Sequence, residues 1–178
     1  IVCEPVSTRV LSLAPLFKFL DDWETPHLVF INKSDRMTCQ GDACGYPYRE
    51  ILDALKSVSS RPLVPHQYPI GKGEQLVGFI DLVTEQAYHY HPGTPADPVP
   101  LPESLKEEEK ATRAQMLEAL ANFDDHLLEE LLEEIEPPTD EILQGRNMEV
   151  GADLMMTGVI SCAEQDSGVR PLIDALIR

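Results

Sequence analysis

One segment constrains the fold of this chain more than any other. His27-Leu28-Val29-Phe30-Ile31 is a short, mostly apolar run, rich in β-branched and aromatic residues, that stops abruptly at Asn32-Lys33-Ser34-Asp35. A run of this kind suits a strand buried on both faces, as in a parallel sheet. Parallel strands need crossover connections, and the flanking sequence supplies them. Val10, Leu13, Phe17 and Leu20 fall close to helical spacing between Val6 and Asp22, with Ser7 or Thr8 as candidate caps. Pro15 predicts a kink or a restart there, and Thr25-Pro26 ends the pattern. Tyr48, Ile51, Leu52 and Leu55 mark a second helix at i, i+3, i+4, i+7. The pattern returns at the end: Leu154 to Ser161 reads as a strand, Ser167-Gly168 as a turn, and Leu172, Ile173, Leu176 and Ile177 as a helical apolar stripe. Strand and helix alternating at both ends imply an α/β class with a parallel sheet and right-handed crossovers.

The middle differs in character. Pro62, Pro65 and Pro69 permit only broken or edge strands. Leu76–Leu82 and Glu85–His91 read as two strands around a short turn. Five prolines between Pro92 and Pro102 predict an extended linker. Glu103–Glu136 reads as a long helical stretch with Met116, Leu117, Leu120, Leu127, Leu128, Leu131 and Leu132 as its apolar positions. The expected organisation is therefore a first core segment over 1–60, an inserted α+β subdomain over 61–150, and a closing core segment over 151–178.

Charge narrows the partners. The chain has 178 residues, 14 Lys plus Arg against 31 Asp plus Glu, and a net charge of −17. Residues 103–141 alone carry 14 acidic and 3 basic side chains, a net of −11. A surface this acidic argues against direct nucleic-acid binding, which needs clustered cations, and favours partners with basic faces. No apolar run approaches the roughly 20 residues of a membrane span, so no membrane partner is expected. Ile1-Val2-Cys3 has no initiator Met, basic stretch or cleavage site, and reads as the end of a strand that has lost its beginning, as in a fragment. Four cysteines, two of them in apolar segments, suggest a reducing compartment. Cys39-x4-Cys44 invites a metal or disulfide reading, but no second pair or nearby His completes a metal site. His89 and His91 would share a strand face without a third ligand, so no metal is expected.

The strongest chemical signal is Asn32-Lys33-Ser34-Asp35 at the carboxyl end of a buried strand, where ligands of open α/β sheets sit. A carboxylate at Asp35 can accept from both the ring N–H and the exocyclic amine of guanine. Adenine lacks that donor pair. Hydrogen bonds to charged groups are worth about 1.5–3 kcal/mol each, enough to discriminate. The Lys33 stem can lie along a base plane and Asn32 can brace the loop. Ser161-Cys162-Ala163 follows a second apolar strand, and the Ala163 N–H is a candidate donor to the guanine carbonyl. The plain alternatives are a polar strand-to-helix turn with a capping Asp, and a Cys162 that is simply a small buried hydrophobe.

These residues resemble the guanine-binding half of translational GTPases, specifically the elongation factor G family. Leu28 to Arg36 is similar to its base-recognition strand and loop. Pro69-Ile70-Gly71-Lys72-Gly73-Glu74, Gly78 to Val83 and Ala87-Tyr88 are similar to the opening of the insertion in its GTPase domain. Ser161-Cys162-Ala163, Gly168-Val169 and Leu172 to Leu176 are similar to its last recognition loop and final helix. The resemblance implies part of a P-loop GTPase fold, the carboxyl-terminal half of the parallel sheet with flanking helices, carrying an α+β insertion. It implies GTP/GDP as ligand with Asn32, Lys33, Asp35, Cys162 and Ala163 as nucleotide-binding residues, Mg²⁺ only in a parent protein, the ribosome as partner, and a cytoplasmic location. It also implies that the insertion meets the basic carboxyl-terminal domain of the ribosomal stalk protein, with Glu129, Glu130, Glu133 and Glu134 as candidate contacts at i, i+4 spacing.

The departures are specific. The family usually has Ser-Ala where this chain has Cys162-Ala163, and a thiol is a poorer donor than a hydroxyl. The stretch from Met37 to Tyr46 is lengthened. The chain holds no G-x-x-x-x-G-K-[ST] loop, no Asp-x-x-Gly switch ahead of the first strand and no switch threonine, and Gly71-Lys72-Gly73 has the wrong spacing. Phosphoryl transfer depends on such parts. The expectation is a chain without catalytic residues of its own, belonging to a parent that couples GTP hydrolysis to ribosomal translocation. Two alternatives stay open: a divergent relative with altered or lost GTPase activity, or an acidic protein-interaction module without nucleotide function.

Overall fold

The computed structural model describes residues 1–37, 39, 45–72, 75–91 and 93–177. The chain opens with β1 (Val2–Cys3), α1 (Ser7–Leu11) and α2 (Ala14–Asp22), followed by β2 (Val29–Ile31) and α3 (Gly45–Val58). Next come β3 (Leu63–Pro65), β4 (Gln67–Lys72), β5 (Gln75–Asp81), β6 (Gln86–His91) and β7 (Thr94–Val99). Three helices, α4 (Lys106–Ala121), α5 (Asp125–Leu132) and α6 (Thr139–Gly151), lead to β8 (Met156–Ile160) and α7 (Val169–Ile177). The result is a mixed α/β fold with two sheets.

The first sheet runs β1-β2-β8-β3 and is parallel throughout. Its two central strands are buried at every position, as the apolar runs require. Phe17, Tyr48 and Leu55 bring the helices onto it, each almost wholly buried. The second sheet is antiparallel in the order β4-β5-β6-β7. Its core includes Tyr68 and Ile80 from the strands, Leu82 from the turn after β5, and Met116, Leu120, Leu127 and Ile142 from the helices. The parallel sheet reaches past residue 60, where the insertion was expected to begin, because Leu63–Pro65 is its last strand.

Proline explains the edges. Pro65, Pro69, Pro95 and Pro98 all sit in edge strands, where a missing N–H removes no ladder bond. The proline-rich stretch expected to be a linker is in part β7, held against β6 in that way.

Other expectations shift locally. The first helix does restart near Pro15, which lies in the first turn of α2, where its lost N–H costs little. Neither Ser7 nor Thr8 caps it: Val6 occupies the cap position, and the Ser7 hydroxyl donates to Glu50 at 2.9 Å. The long acidic helix is broken at Asn122–Asp124, where Asp124 caps α5 by accepting from the His126 and Leu127 N–H groups at 3.0 and 3.2 Å. Its apolar positions consequently split. Met116, Leu117, Leu120 and Leu127 are buried, whereas Leu128 and Leu132 face solvent. On α7, Ile173 and Leu176 are also exposed. None of the described helices is long and apolar enough to cross a membrane.

A buried polar staple closes the amino-terminal edge of the parallel sheet. Asp153 accepts from the Arg61 guanidinium at 2.7 Å, and the His27 ring lies 3.7 Å from its other oxygen. This ties together the segments that lead into β2, β3 and β8.

Candidate functional site

β2 and β8 are adjacent parallel strands, so the loops leaving their carboxyl ends are neighbours. Asn32–Asp35 follows one and Ser161–Ala163 follows the other. The backbone stitches them together: Ser161 N–H donates to the Ile31 carbonyl at 2.9 Å, and Ser34 N–H donates to the Ser161 carbonyl at 3.1 Å. Lys33 adopts a left-handed conformation at φ 58, which turns the chain into a one-turn 3₁₀ helix at Ser34–Arg36. That turn aims the Asp35 carboxylate outward to solvent while Ser34 is buried.

The side chains continue the link. Asn32 Oδ1 accepts from its neighbour Lys33 N–H at 2.8 Å and from Ala163 N–H, across the two loops, at 3.0 Å. The Cys162 thiol donates to Asp35 Oδ1 at 3.0 Å. Burial pushes the thiol's pKa above its ordinary range, and the Asp35 contact adds to that. The thiol is therefore protonated at neutral pH and remains a donor. Among the described residues no second donor reaches the Asp35 carboxylate, so its remaining lone pairs face solvent.

Sequence reasoning placed Asn32, Lys33, Asp35, Cys162 and Ala163 in one site, and the fold brings all five together. Two details differ from expectation. The Ala163 N–H, expected to point at a ligand carbonyl, is engaged by Asn32. Lys33 is not a free stem: its ammonium pairs with Glu4, which follows β1 and also lies 3.4 Å from Arg9. The Lys33 bond holds the Glu4 carboxyl below the usual range. Glu4 was missed because its place beside Lys33 depends on β1 pairing with β2 in register, Cys3 against Ile31.

The inserted sheet also reaches this site. Gln67, fully buried, accepts from Ile160 N–H through its side-chain oxygen at 2.9 Å, and the Tyr90 hydroxyl donates to the Ile160 carbonyl at 3.1 Å. Ile160 is the last residue of β8, so both bonds fix the strand that carries Cys162. Leu76 and Tyr90 line a hollow of about 180 Å³ together with Asp35 and Cys162. Replacing Cys162 with Ser should supply a stronger donor to Asp35.

The acidic candidates lie elsewhere. Glu129 is exposed on α5 and Glu130 half-buried. Glu133 and Glu134 have left the helix, which ends at Leu132, and Glu134 takes φ 57, so the four do not share one helical ridge. Exposed Leu128, Leu132 and Ile135 lie among them.

His89 and His91 have ring centroids 5.1 Å apart, and His91 lies 3.2 Å from Asp97. Another set of possible ligands, His126, Glu130 and Glu141, has its donor atoms within 4.8 Å of one another. His126 there pairs with Glu141 at 2.7 Å, which raises its pKa. Cys39 is buried, and Cys44, its proposed companion, lies outside the described residues.

No family model matches the chain. Over all 178 residues it is 62% identical to an elongation factor G-like protein of Synechocystis sp., of which it spans 26%. A crystal structure from Thermus thermophilus has the same fold, with a TM-score of 0.74 over 90% of this chain and 23% of the other, at 24% identity. The chain thus spans about a quarter of the length of the relative it matches.

Proposed function

We propose that this chain is the base-reading portion of a translational GTPase of the elongation factor G kind, with GTP and GDP as its ligands. The observation that carries the reading is the meeting of two strand-end loops around an outward-facing carboxylate, Asp35, backed by the Cys162 thiol. Guanine offers two adjacent N–H donors to such an acceptor, and adenine does not. Asn32 holds the two loops in register, and Ala163 N–H becomes a ligand donor once it is shared or released. The Lys33 stem, anchored at its tip by Glu4, forms a wall of the base site.

Phosphate binding, Mg²⁺ and hydrolysis belong to other parts of the parent. This chain has no phosphate-loop sequence, and phosphoryl transfer is catalysed by positioning and charge neutralisation there. Ribosomal translocation and a cytoplasmic location follow for the parent on this reading. The Cys162 thiol favours a second reading, a relative with altered GTPase activity, because it weakens support of Asp35.

The base reading can be tested on the chain itself. Titration with GMP should shift the amide signals of Lys33, Asp35 and Ala163 at millimolar concentration, while AMP should leave them in place. Equal shifts with both nucleotides, or none with either, would sink the assignment.

The acidic insertion is the proposed docking face for a basic domain of the ribosomal stalk. Leu128, Leu132 and Ile135 supply exposed apolar contact, and Glu129, Glu133 and Glu134 supply charge around it. Reversing those three charges to Lys should weaken stalk binding at least about tenfold and flatten its salt dependence. Unchanged binding in calorimetry would rule this face out.

A further inference from the structure

α5 and α6 of the inserted subdomain meet at a group of side chains that the base-reading function leaves unused. His126 and Glu130 stand at i, i+4 on α5 and so share one face of that helix. Glu141 belongs to the first turn of α6. Their neighbours in sequence, Leu127 and Ile142, are buried in the same apolar core, and that packing sets the two helices side by side. One donor atom from each of His126, Glu130 and Glu141 lies within 4.8 Å of the other two. Asp124 fixes the backbone beneath them, since its Oδ1 accepts from the His126 N–H at 3.0 Å.

Hydrogen bonding within the group is incomplete. His126 Nδ1 lies 2.7 Å from Glu141 Oε1, so a proton on the imidazole satisfies Glu141. That proton does not serve Glu130. Glu130 Oε2 is closed to solvent and, among the described residues, meets no hydrogen-bond donor. The carboxylate oxygen is thus cut off from water without a counter-charge. Buried charges in folded proteins are paired or bind a metal.

We propose that His126, Glu130 and Glu141 form a site for a divalent transition-metal ion, zinc by preference. An imidazole nitrogen with two carboxylate oxygens is a donor set that zinc accepts, whereas magnesium and calcium take oxygen ligands. Zinc binds such atoms at about 2.0–2.2 Å, which places its ligands roughly 3.3 Å from one another, so small side-chain rotations close the group on the ion. The metal takes the place of the proton held between His126 and Glu141, which is released to solvent. It answers the charge of Glu130 at the same time. Three protein ligands leave the fourth position to water, in keeping with a His126 side chain that is 67% exposed. The ion ties α5 to α6. The proposal does not rest on the base-reading function.

The test uses this chain and two probes, Zn²⁺ and Mg²⁺. One equivalent of Zn²⁺ should shift the amide signals of His126, Glu130 and Glu141 in a saturable way, and Mg²⁺ at the same concentration should leave them in place. His126→Gln should weaken Zn²⁺ binding at least about tenfold in calorimetry, a loss usual even for groups that only support a ligand. Glu130→Gln keeps the shape of the side chain and should weaken binding as well. The melting temperature of each variant without metal shows whether it is folded. His89→Gln, in the other histidine pair, should bind Zn²⁺ as the native chain does. Shifts centred on His89 and His91 would overturn the proposal. Equal shifts with Mg²⁺ would show only the attraction of an acidic surface and overturn it too, as would normal Zn²⁺ binding by a folded His126→Gln or Glu130→Gln variant.

Discussion

Changing Asp35 to Asn is expected to turn the base preference of this chain from guanine to xanthine. The native carboxylate offers two acceptors. An amide offers one acceptor and one donor, so its NH₂ would face the 2-amino group of guanine, donor against donor. Xanthine carries a carbonyl at that position and accepts from the new NH₂. Each charge-assisted bond is worth about 1.5–3 kcal/mol, so GMP binding should fall by tenfold to a hundredfold while XMP gains. The measurement is a pair of amide NMR titrations, GMP and XMP, on the Asp35→Asn chain. Retention of GMP over XMP would show that Asp35 does not read the base. The Cys162 thiol can donate to Asn Oδ1 as it does to Asp35, so the substitution keeps the local structure intact.

The second large effect concerns stability. Gly78 lies in β5, an inner strand of the antiparallel sheet, opposite His89. A Cβ built there would sit 2.0 Å from the Tyr88 carbonyl oxygen. That atom is backbone and cannot rotate away, so β5 and β6 must part. Gly78→Ala should destabilise the inserted sheet by about 3 kcal/mol or more, above the usual range for an added methyl in a packed site. Urea unfolding followed by circular dichroism should show the loss as a lower midpoint. A midpoint within error of the native chain would mean that the strands have room to separate. The same substitution should loosen the base site, because Tyr90 holds the Ile160 carbonyl from this sheet.

The legible parts of the sequence were those governed by local rules. The two central parallel strands were readable because burial on both faces leaves a continuous apolar signature at Val29–Ile31 and Met156–Ile160. The helix restart near Pro15 followed from one missing N–H. The proline-rich segment at 94–99 was read as a linker because its prolines deny it the usual strand signature. An edge position needs only one side of the backbone to pair. The break between α4 and α5 was missed because leucine spacing continues across it. Asp124 closes one helix start there, a role a single acid in an acidic run does not announce.

By itself, the sequence determined the chemistry at the strand ends: an acid at position 35, an amide at 32, and a thiol in place of a hydroxyl at 162. Those identities are fixed by covalent structure and need no neighbours to be read. Only the tertiary structure decided what each group faces. Asp35 and Cys162 are 127 positions apart, and their 3.0 Å contact exists because β2 and β8 pair in register. Glu4 on Lys33, Asn32 on the Ala163 N–H, and Tyr90 on Ile160 are likewise set by strand pairing and by the docking of one sheet on another. Contacts so distant in sequence leave no periodic trace, because each joins separate runs whose local patterns are satisfied without it.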